Sequence, residues 1–448
     1  MSDFYYLLSI MVEESHNEDV VLIDLFSLGC NTENIKQKSL MDILSNLKRS
    51  YKTKSPSLFF MCYQDPTCKH NGPDTLCEVH FGHLKNGCKV VKDSSMAAIL
   101  YTIKQEIDAL DLSKILVILP QERKIQMDFY LENLFTPVYK FTLEYFEMKD
   151  VITLPCSQKG PNGITDEEAR EHARKDVLKY CQSLPAQKGH VVILKSQLIP
   201  EETFLHGFTT RCGGVTCIPT LSGLNLFCSP KRRDPKATVA ENFRRLGEAG
   251  GFDPQTYAPI KVDHAEVVKI LGKTEPDRYD GIVTNQKGVT IAAPGADCIP
   301  ILFCDPVKKV CGAAHSGWKG TLLGVSMATV SAMSSEYGCD KKDIKVVLGP
   351  SVGPCCFTLD QQDAKAFYDI DPQCAQQIES PKPLVDIRRA TRILLERGGI
   401  LPQNIQDDTI EDQSQNVTLC TSCHPESFFS HVRDGENFGT QICFIAIR

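Results

Sequence analysis

The segment that most restricts how this chain can fold lies between residues 289 and 336. Three short apolar runs, at 289–293, 299–303 and 309–314, follow one another with only tight turns between them. Each is too short for a core helix and each is bounded by turn residues, so each reads as a strand. Gly295-Ala296-Asp297-Cys298 forms the first turn and Asp305-Pro306 opens the second. Residues 318–336 then fit a helix with the apolar stripe Leu323, Met327, Val330 and Met333, and Gly338 is placed to end it. Residues 386–397 repeat the helical pattern, with Ile387, Ala390 and Leu394 on one face and Gly398-Gly399 behind. A strand-turn-strand-turn-strand-helix unit of this kind concentrates polar residues at strand ends, where they can share one edge of a sheet.

The first part of the chain has a different rhythm. Strands are expected at 20–26, 57–62 and 115–119, and helices at 39–52 and 95–110. This β-α-β-α-β order predicts a small α/β domain with a partly parallel sheet, without a Gly-rich phosphate-binding fingerprint. A Gly/Pro/Asn segment at 158–163 precedes Thr165-Asp166-Glu167-Glu168, a capping box opening a helix that runs to about Ser183. With 448 residues the chain exceeds the size at which one core keeps growing. The expected fold is therefore mixed α/β in two domains: a small α/β domain over 1–185, then a larger domain of mixed sheets covered by helices over 186–448.

Composition removes several function classes. Hydrophobic residues at 42% and charged residues at 23% describe a globular chain rather than a disordered one. A net charge of -7 offers no attraction to nucleic acid. No run approaches the roughly 20 apolar residues of a membrane span. The apolar start at 5–12 follows Asp3, is succeeded by acidic residues and has no cleavage site, so a non-secretory, cytoplasmic protein with its 20 cysteines reduced is expected.

Three residues stand out as metal ligands: His264, Cys298 and His315. One thiolate and two imidazoles suit zinc, and three protein ligands leave a fourth position for water or substrate. Such a centre lowers the pKa of bound water to ~7 and polarises substrate atoms. The same residues also permit a cysteine hydrolase with Cys298 as nucleophile and His315 as base, or a silent metal-stabilised scaffold. Multicopper oxidase chemistry is disfavoured, because the 11 histidines include no His-x-His pair. Cys420-Thr421-Ser422-Cys423-His424 has the form of a c-type haem attachment string, which does not suit an intracellular chain. Cys62, Cys68, His70, Cys77, His80, His83 and Cys88 could hold a second, structural zinc, against a loosely ordered loop ahead of Ser95. Lys231-Arg232-Arg233 reads as a solvated turn.

Six strings carry a resemblance: HGFTTRCGGVT from His206, DGIVTN from Asp280, GADCIP from Gly295, HSGWKG from His315, GPSVGPCC from Gly349 and FFSHVRDG from Phe428. In this order, over roughly 190–448, the chain resembles the zinc-dependent purine nucleoside phosphorylase family, whose members have also been described as polyphenol oxidase or laccase-like proteins. The resemblance implies phosphate-dependent cleavage of adenosine, inosine, guanosine and S-methyl-5'-thioadenosine to base and (methylthio)ribose 1-phosphate. It also implies zinc-dependent deamination of adenosine to inosine, and a role in purine metabolism of immune cells. Zinc would be the cofactor rather than copper, inorganic phosphate the co-substrate, and His264, Cys298 and His315 the metal ligands. It further implies a protein partner, fatty acid synthase, engaged through the N-terminal domain, a homodimer, and nuclear, peroxisomal or ER-associated pools beside the cytoplasmic one.

Asp297, adjacent to Cys298, is a candidate proton shuttle, with capping of its own turn as the alternative. Arg211 is the first candidate for holding phosphate or substrate oxygens, because guanidinium suits that geometry; the alternative is an arginine covering a turn. Lys319, at a Gly-rich helix start, is the second. The sequence departs from the family where Asp263 and Ala265-Glu266 flank His264, in place of a preceding His and a following Ser-Asn, and where Ser316 and Lys319 replace the commoner Ala and Arg. These departures put the surroundings of the metal ligand in doubt more than the fold.

Overall fold

The computed structural model describes residues 18–26, 56–64, 88–146, 165–273, 275–407 and 419–448. The helix expected at 39–52, the segment at 158–163 and the candidate ligands Cys68, His70, Cys77, His80 and His83 lie outside these residues. The chain divides into two compact units, Met1–Leu184 with Cys228–Thr238, and Pro185–Phe227 with Val239–Arg448.

The first unit is built on strands β1 (Val20–Asp24), β2 (Ser57–Tyr63), β3 (Cys88–Asp93), β4 (Lys114–Pro120) and β5 (Lys140–Phe146) and helices α1 (Met96–Ala109), α2 (Lys124–Leu134) and α3 (Asp166–Ser183). The strands pair in the order β3-β2-β1-β4-β5, and every pairing is parallel rather than only some. Central strands of a parallel sheet are buried on both faces and read as unbroken apolar runs. That is how VVLID of β1 and ILVILP of β4 are packed. α1 starts where the Ser95 side chain accepts from the Ala98 amide, and both halves of the capping box hold the start of α3. The stretch expected to be loop before Ser95 ends in a strand, β3, because KVVK can pair with β2. The basic turn expected to be solvated is drawn inward: Arg232 is buried, and Arg233 donates to Asp108 at 3.1 Å, to Asp111 at 2.7 Å and to the Leu112 carbonyl at 2.8 Å.

The second unit contains β6 (Ile193–Leu194), β7 (Phe204–Thr209), α4 (Lys236–Gly250), β8 (Tyr257–Pro259), β9 (Val268–Ile270), β10 (Gly281–Thr284), β11 (Thr290–Gly295), β12 (Ile299–Asp305) and β13 (Val310–Ser316). It continues with α5 (Trp318–Leu323), α6 (Val325–Tyr337), β14 (Lys345–Leu348), α7 (Gln361–Ile370), β15 (Ala375–Gln376), β16 (Leu384–Val385), α8 (Ile387–Arg397), β17 (Ile405–Gln406), α9 (His431–Asp434) and β18 (Gln441–Ile447). Two sheets carry the fold, ordered β17-β14-β12-β13-β10-β9 and β6-β7-β18-β11-β8.

Alternation along single strands shows how these layers stack. Ile299, Ile301 and Phe303 of β12 join Val330, Met333, Phe367, Ala390 and Leu395 of the covering helices in one core. The intervening Leu302 and Cys304 join Phe208, Ile291, Cys443 and Ile445 in a second core between the sheets. On the far side, Ile442 and Phe444 of β18 pack with Phe243 and Leu246 of α4. The order is helices, six-stranded sheet, five-stranded sheet, helix.

Two helical expectations need correction. Residues 318–336 form two helices, because Gly324 adopts φ 85° and breaks the hydrogen-bond ladder between α5 and α6. Leu323 consequently leaves the apolar stripe and is 55% exposed, while Val330 and Met333 are buried. In α8 the buried position is Leu395 rather than Leu394.

Candidate metal centre

Strand register brings the polar strand ends together. β12 and β13 are antiparallel with Pro300 opposite His315, and β10 and β13 are antiparallel with Gly281 opposite Ala314. β9 runs parallel to β10, with Val268 beside Gly281. The starts of β9, β10 and β12 and the end of β13 therefore share one edge of the six-stranded sheet. The 263–265 turn, Asp280, the 296–298 turn and the 315–317 turn all sit there.

At that edge the ligand atoms of His264, Cys298 and His315 lie within 4.8 Å of one another. The His264 and His315 rings meet edge to face with centroids 5.2 Å apart. His315 Nδ1 lies 2.9 Å from the Pro294 carbonyl, a contact that places the proton on Nδ1. Its Nε2 is left as a bare lone pair, buried and without a hydrogen-bond partner. Desolvation holds this imidazole below the usual histidine range, in the neutral form a metal requires. Desolvation also pushes the Cys298 thiol up to about 12, and the charges of Asp297 and Asp280 push it the same way. Negative charge gathered around a thiol and two imidazoles is what a divalent cation compensates. The donor set and the orphaned Nε2 both fit a metal ion.

His264 owes its position to its backbone. It has φ 60°, a left-handed conformation that costs a non-glycine residue energy. Fully buried Asp280 holds it there: its Oδ2 accepts from the amides of Asp263 at 3.0 Å and of Ala265 at 2.9 Å. The departures from the family pattern next to His264 touch little of this. The amides do the holding, while the side chains of Asp263 and Glu266 are exposed. Gly317 closes the floor, since a Cβ there would lie 3.0 Å from Cys298 Sγ and 3.3 Å from His264 Cδ2.

The other candidate residues are placed as follows. Asp297, at φ 91°, accepts from Thr421 Oγ1 at 2.6 Å through Oδ1 and from the Val432 amide at 2.6 Å through Oδ2. Its carboxylate ties the Cys298 turn to the later turn that carries Thr421 and to the first turn of α9. Arg211 donates to three carbonyls, those of Ser222 at 3.0 Å, Pro425 at 2.7 Å and Pro219 at 2.9 Å, and stacks on Phe429. These bonds hold turns together. Lys319 is exposed, with its Nζ 5.2 Å over the Trp318 ring. α5 has only six residues, so its dipole adds little to anion binding. Asp280 is the residue sequence reasoning missed. It opens the DGIVTN string, but only the pairing of β10 with β9 and the two amide bonds show that its side chain reaches the 263–265 turn.

Residues 205–448 match the family model described as multi-copper polyphenol oxidoreductase laccase. The chain is 53% identical to the mouse protein named purine nucleoside phosphorylase LACC1, over 96% of this chain and 99% of the relative. It is 52% identical to the human protein of the same name over the same shares. The Bacillus subtilis purine nucleoside phosphorylase YlmD is 30% identical, covering 54% of this chain and 88% of its own length.

Proposed function

The chain belongs to the multi-copper polyphenol oxidoreductase laccase family, and from that premise we propose that it is a zinc-dependent purine nucleoside phosphorylase working at His264, Cys298 and His315. The observation that carries the reading is the bare, buried Nε2 of His315 facing a thiol and a second imidazole. Two imidazoles and one thiolate make a single-metal donor set of the zinc type, not the histidine-rich set of a multicopper centre. A cysteine hydrolase is the weaker reading, because a thiol-imidazole pair has no use for the second imidazole, His264, that is held beside both.

Zinc, when bound, polarises a substrate atom and brings the pKa of a coordinated water down to ~7. The protein's own residues supply the rest. In phosphorolysis the departing purine gains negative charge and the ribose becomes cation-like, so the base needs a proton or an electrophile and phosphate must reach the anomeric carbon. Asp280 Oδ1, buried and without a partner, is the acceptor for a proton from water or substrate at the centre. Its charge already acts on both Cys298 and His315. Lys319, exposed two residues beyond Gly317, is assigned to the phosphate. Arg211 and Asp297 are assigned to positioning, since both spend their polar atoms on neighbouring turns. For deamination of adenosine, His264, Cys298 and His315 would hold the zinc, which would supply activated water for C6, and S-methyl-5'-thioadenosine is assigned as a further nucleoside substrate. The N-terminal unit is assigned to partner binding. No helix among the described residues is long and apolar enough to cross a membrane.

The test is product identification. Zinc-loaded protein is incubated with adenosine, with and without phosphate, and products are separated by chromatography. The proposal expects adenine and ribose 1-phosphate only with phosphate, inosine and ammonia without it, and loss of both in His264→Ala and Cys298→Ser. Stoichiometric zinc with neither product would leave the scaffold reading.

A further inference from the structure

Away from that centre, four cysteines of the second unit meet on two turns. Cys355 and Cys356 are neighbours in the turn after β14, and Cys420 and Cys423 flank another turn more than sixty residues later. Cys423 Sγ lies 3.5 Å from Cys355 Sγ and 3.4 Å from Cys356 Sγ, and all four sulfurs lie within 4.8 Å of one another. A tetrahedral zinc with Zn–S of about 2.3 Å needs sulfur-sulfur edges of about 3.8 Å. Cysteines that serve only as core filler are buried, whereas Cys355 and Cys423 are exposed.

The turns are shaped around the sulfurs. Gly353 donates its amide to Cys420 Sγ at 3.2 Å, a contact that favours the thiolate. A Cβ on Gly353 would meet the Arg388 guanidinium at 2.6 Å and Cys355 Sγ at 3.2 Å, so a side chain there would displace the arginine and crowd the sulfur. The Thr421 amide donates to the Ser351 carbonyl at 3.0 Å, joining the two turns through the backbone. His424 Nδ1 lies 2.9 Å from the Cys420 carbonyl. The string that resembles a haem attachment site thus directs its two sulfurs toward Cys355 and Cys356.

We propose that Cys355, Cys356, Cys420 and Cys423 bind one zinc ion in a closed four-thiolate site, distinct from the His264 centre, that staples the 353–356 turn to the 420–423 turn. Each thiol releases its proton to solvent as it coordinates, and no oxidation state changes. Both stapled turns also end on Asp297: Thr421 donates to its Oδ1, and the Val352 amide donates to its carbonyl at 3.0 Å. The second zinc would therefore hold the loops that orient the Cys298 turn.

The full-length chain, purified with a thiol reductant, equilibrated with zinc and desalted, is assayed for metal by mass spectrometry. Wild type is expected to retain twice the zinc of Cys420→Ser/Cys423→Ser, and His264→Ala/Cys298→Ser is expected to retain half. Titrated with cobalt(II), His264→Ala/Cys298→Ser should develop strong sulfur-to-cobalt charge-transfer absorption, lost when Cys355→Ser/Cys356→Ser is added. Equal zinc in wild type and Cys420→Ser/Cys423→Ser overturns the proposal. So does a cobalt spectrum without thiolate bands, or a disulfide from Cys423 to Cys355 or Cys356 in zinc-loaded protein. Should Cys420→Ser/Cys423→Ser fail to fold, the cobalt titration of His264→Ala/Cys298→Ser decides the question alone.

Discussion

Asp280 is asked to do two things with its two oxygens, and substitutions can separate them. Oδ2 fixes the left-handed His264 turn through two amides, while Oδ1 is buried without a partner and is the oxygen proposed to accept a proton. Asp280→Asn keeps an oxygen for the amides and removes the base, so zinc content should stay while kcat falls roughly 100-fold or more and the pH-rate profile loses its acidic limb. Asp280→Ala removes the holder as well, and zinc affinity should fall roughly 10–100-fold, read by competition with a chromophoric chelator. Equal zinc affinity in the two variants would remove the holding role. Lys319→Ala should raise KM for phosphate and leave adenosine deamination unchanged, measured by initial rates over a phosphate series. Much of this site was legible in the residues. His264, Cys298 and His315 are chemically distinctive and lie at strand ends. Asp280 was not, because a lone aspartate before a strand looks like any turn residue until the register of β10 and β9 places it. The role suggested for Asp297 came from adjacency to Cys298 and that for Arg211 from guanidinium chemistry, and neither signal reports the hydroxyl, amide and carbonyls that meet their polar atoms.

Among the elements, the break at Gly324 is a backbone property that hydrophobic periodicity does not report. The stripe of Met327, Val330 and Met333 continues smoothly back to Leu323, so periodicity alone joins α5 and α6. A glycine at φ 85° with nothing within 4 Å of a would-be Cβ has room for a side chain but not the conformation. Gly324→Ala should therefore destabilise the protein by about 1 kcal/mol through backbone strain alone, visible as a lower urea midpoint with an unchanged m-value. An unchanged midpoint would show that the turn tolerates a side chain. The strands β11, β12 and β13 were legible because they are continuous, apolar and short. β3 was missed because KVVK is brief and partly charged, and its strand character comes from pairing with β2.

For the molecule as a whole, the mixed α/β class and the sheet-rich C-terminal part follow from the change of texture near residue 190. The stacking of two sheets does not, since either face of β12 could have met helices. One buried group between those layers links the fold to pH. Desolvation holds the His206 imidazole below the usual histidine range, and its Nε2 lies 3.1 Å from both the amide nitrogen and the carbonyl oxygen of Ser196. The unfolded chain protonates this histidine near about 6.5 and the folded chain only at lower pH, so the stabilisation is intact above about 6.5 and declines as pH falls below it. Urea midpoints should drop between about pH 7.5 and about pH 5.5, and less so in His206→Gln.

The central claim is that phosphorolysis depends on one zinc ion held by His264, Cys298 and His315. It is tested most directly by stripping the full-length wild-type protein and His264→Ala/Cys298→Ser of metal and returning zinc in steps, while following ribose 1-phosphate from inosine and phosphate. The account predicts no product from either stripped protein, and a return of activity with added zinc in the wild type that His264→Ala/Cys298→Ser does not show. Full activity in the stripped wild type, or no product from it at any zinc loading, would contradict it.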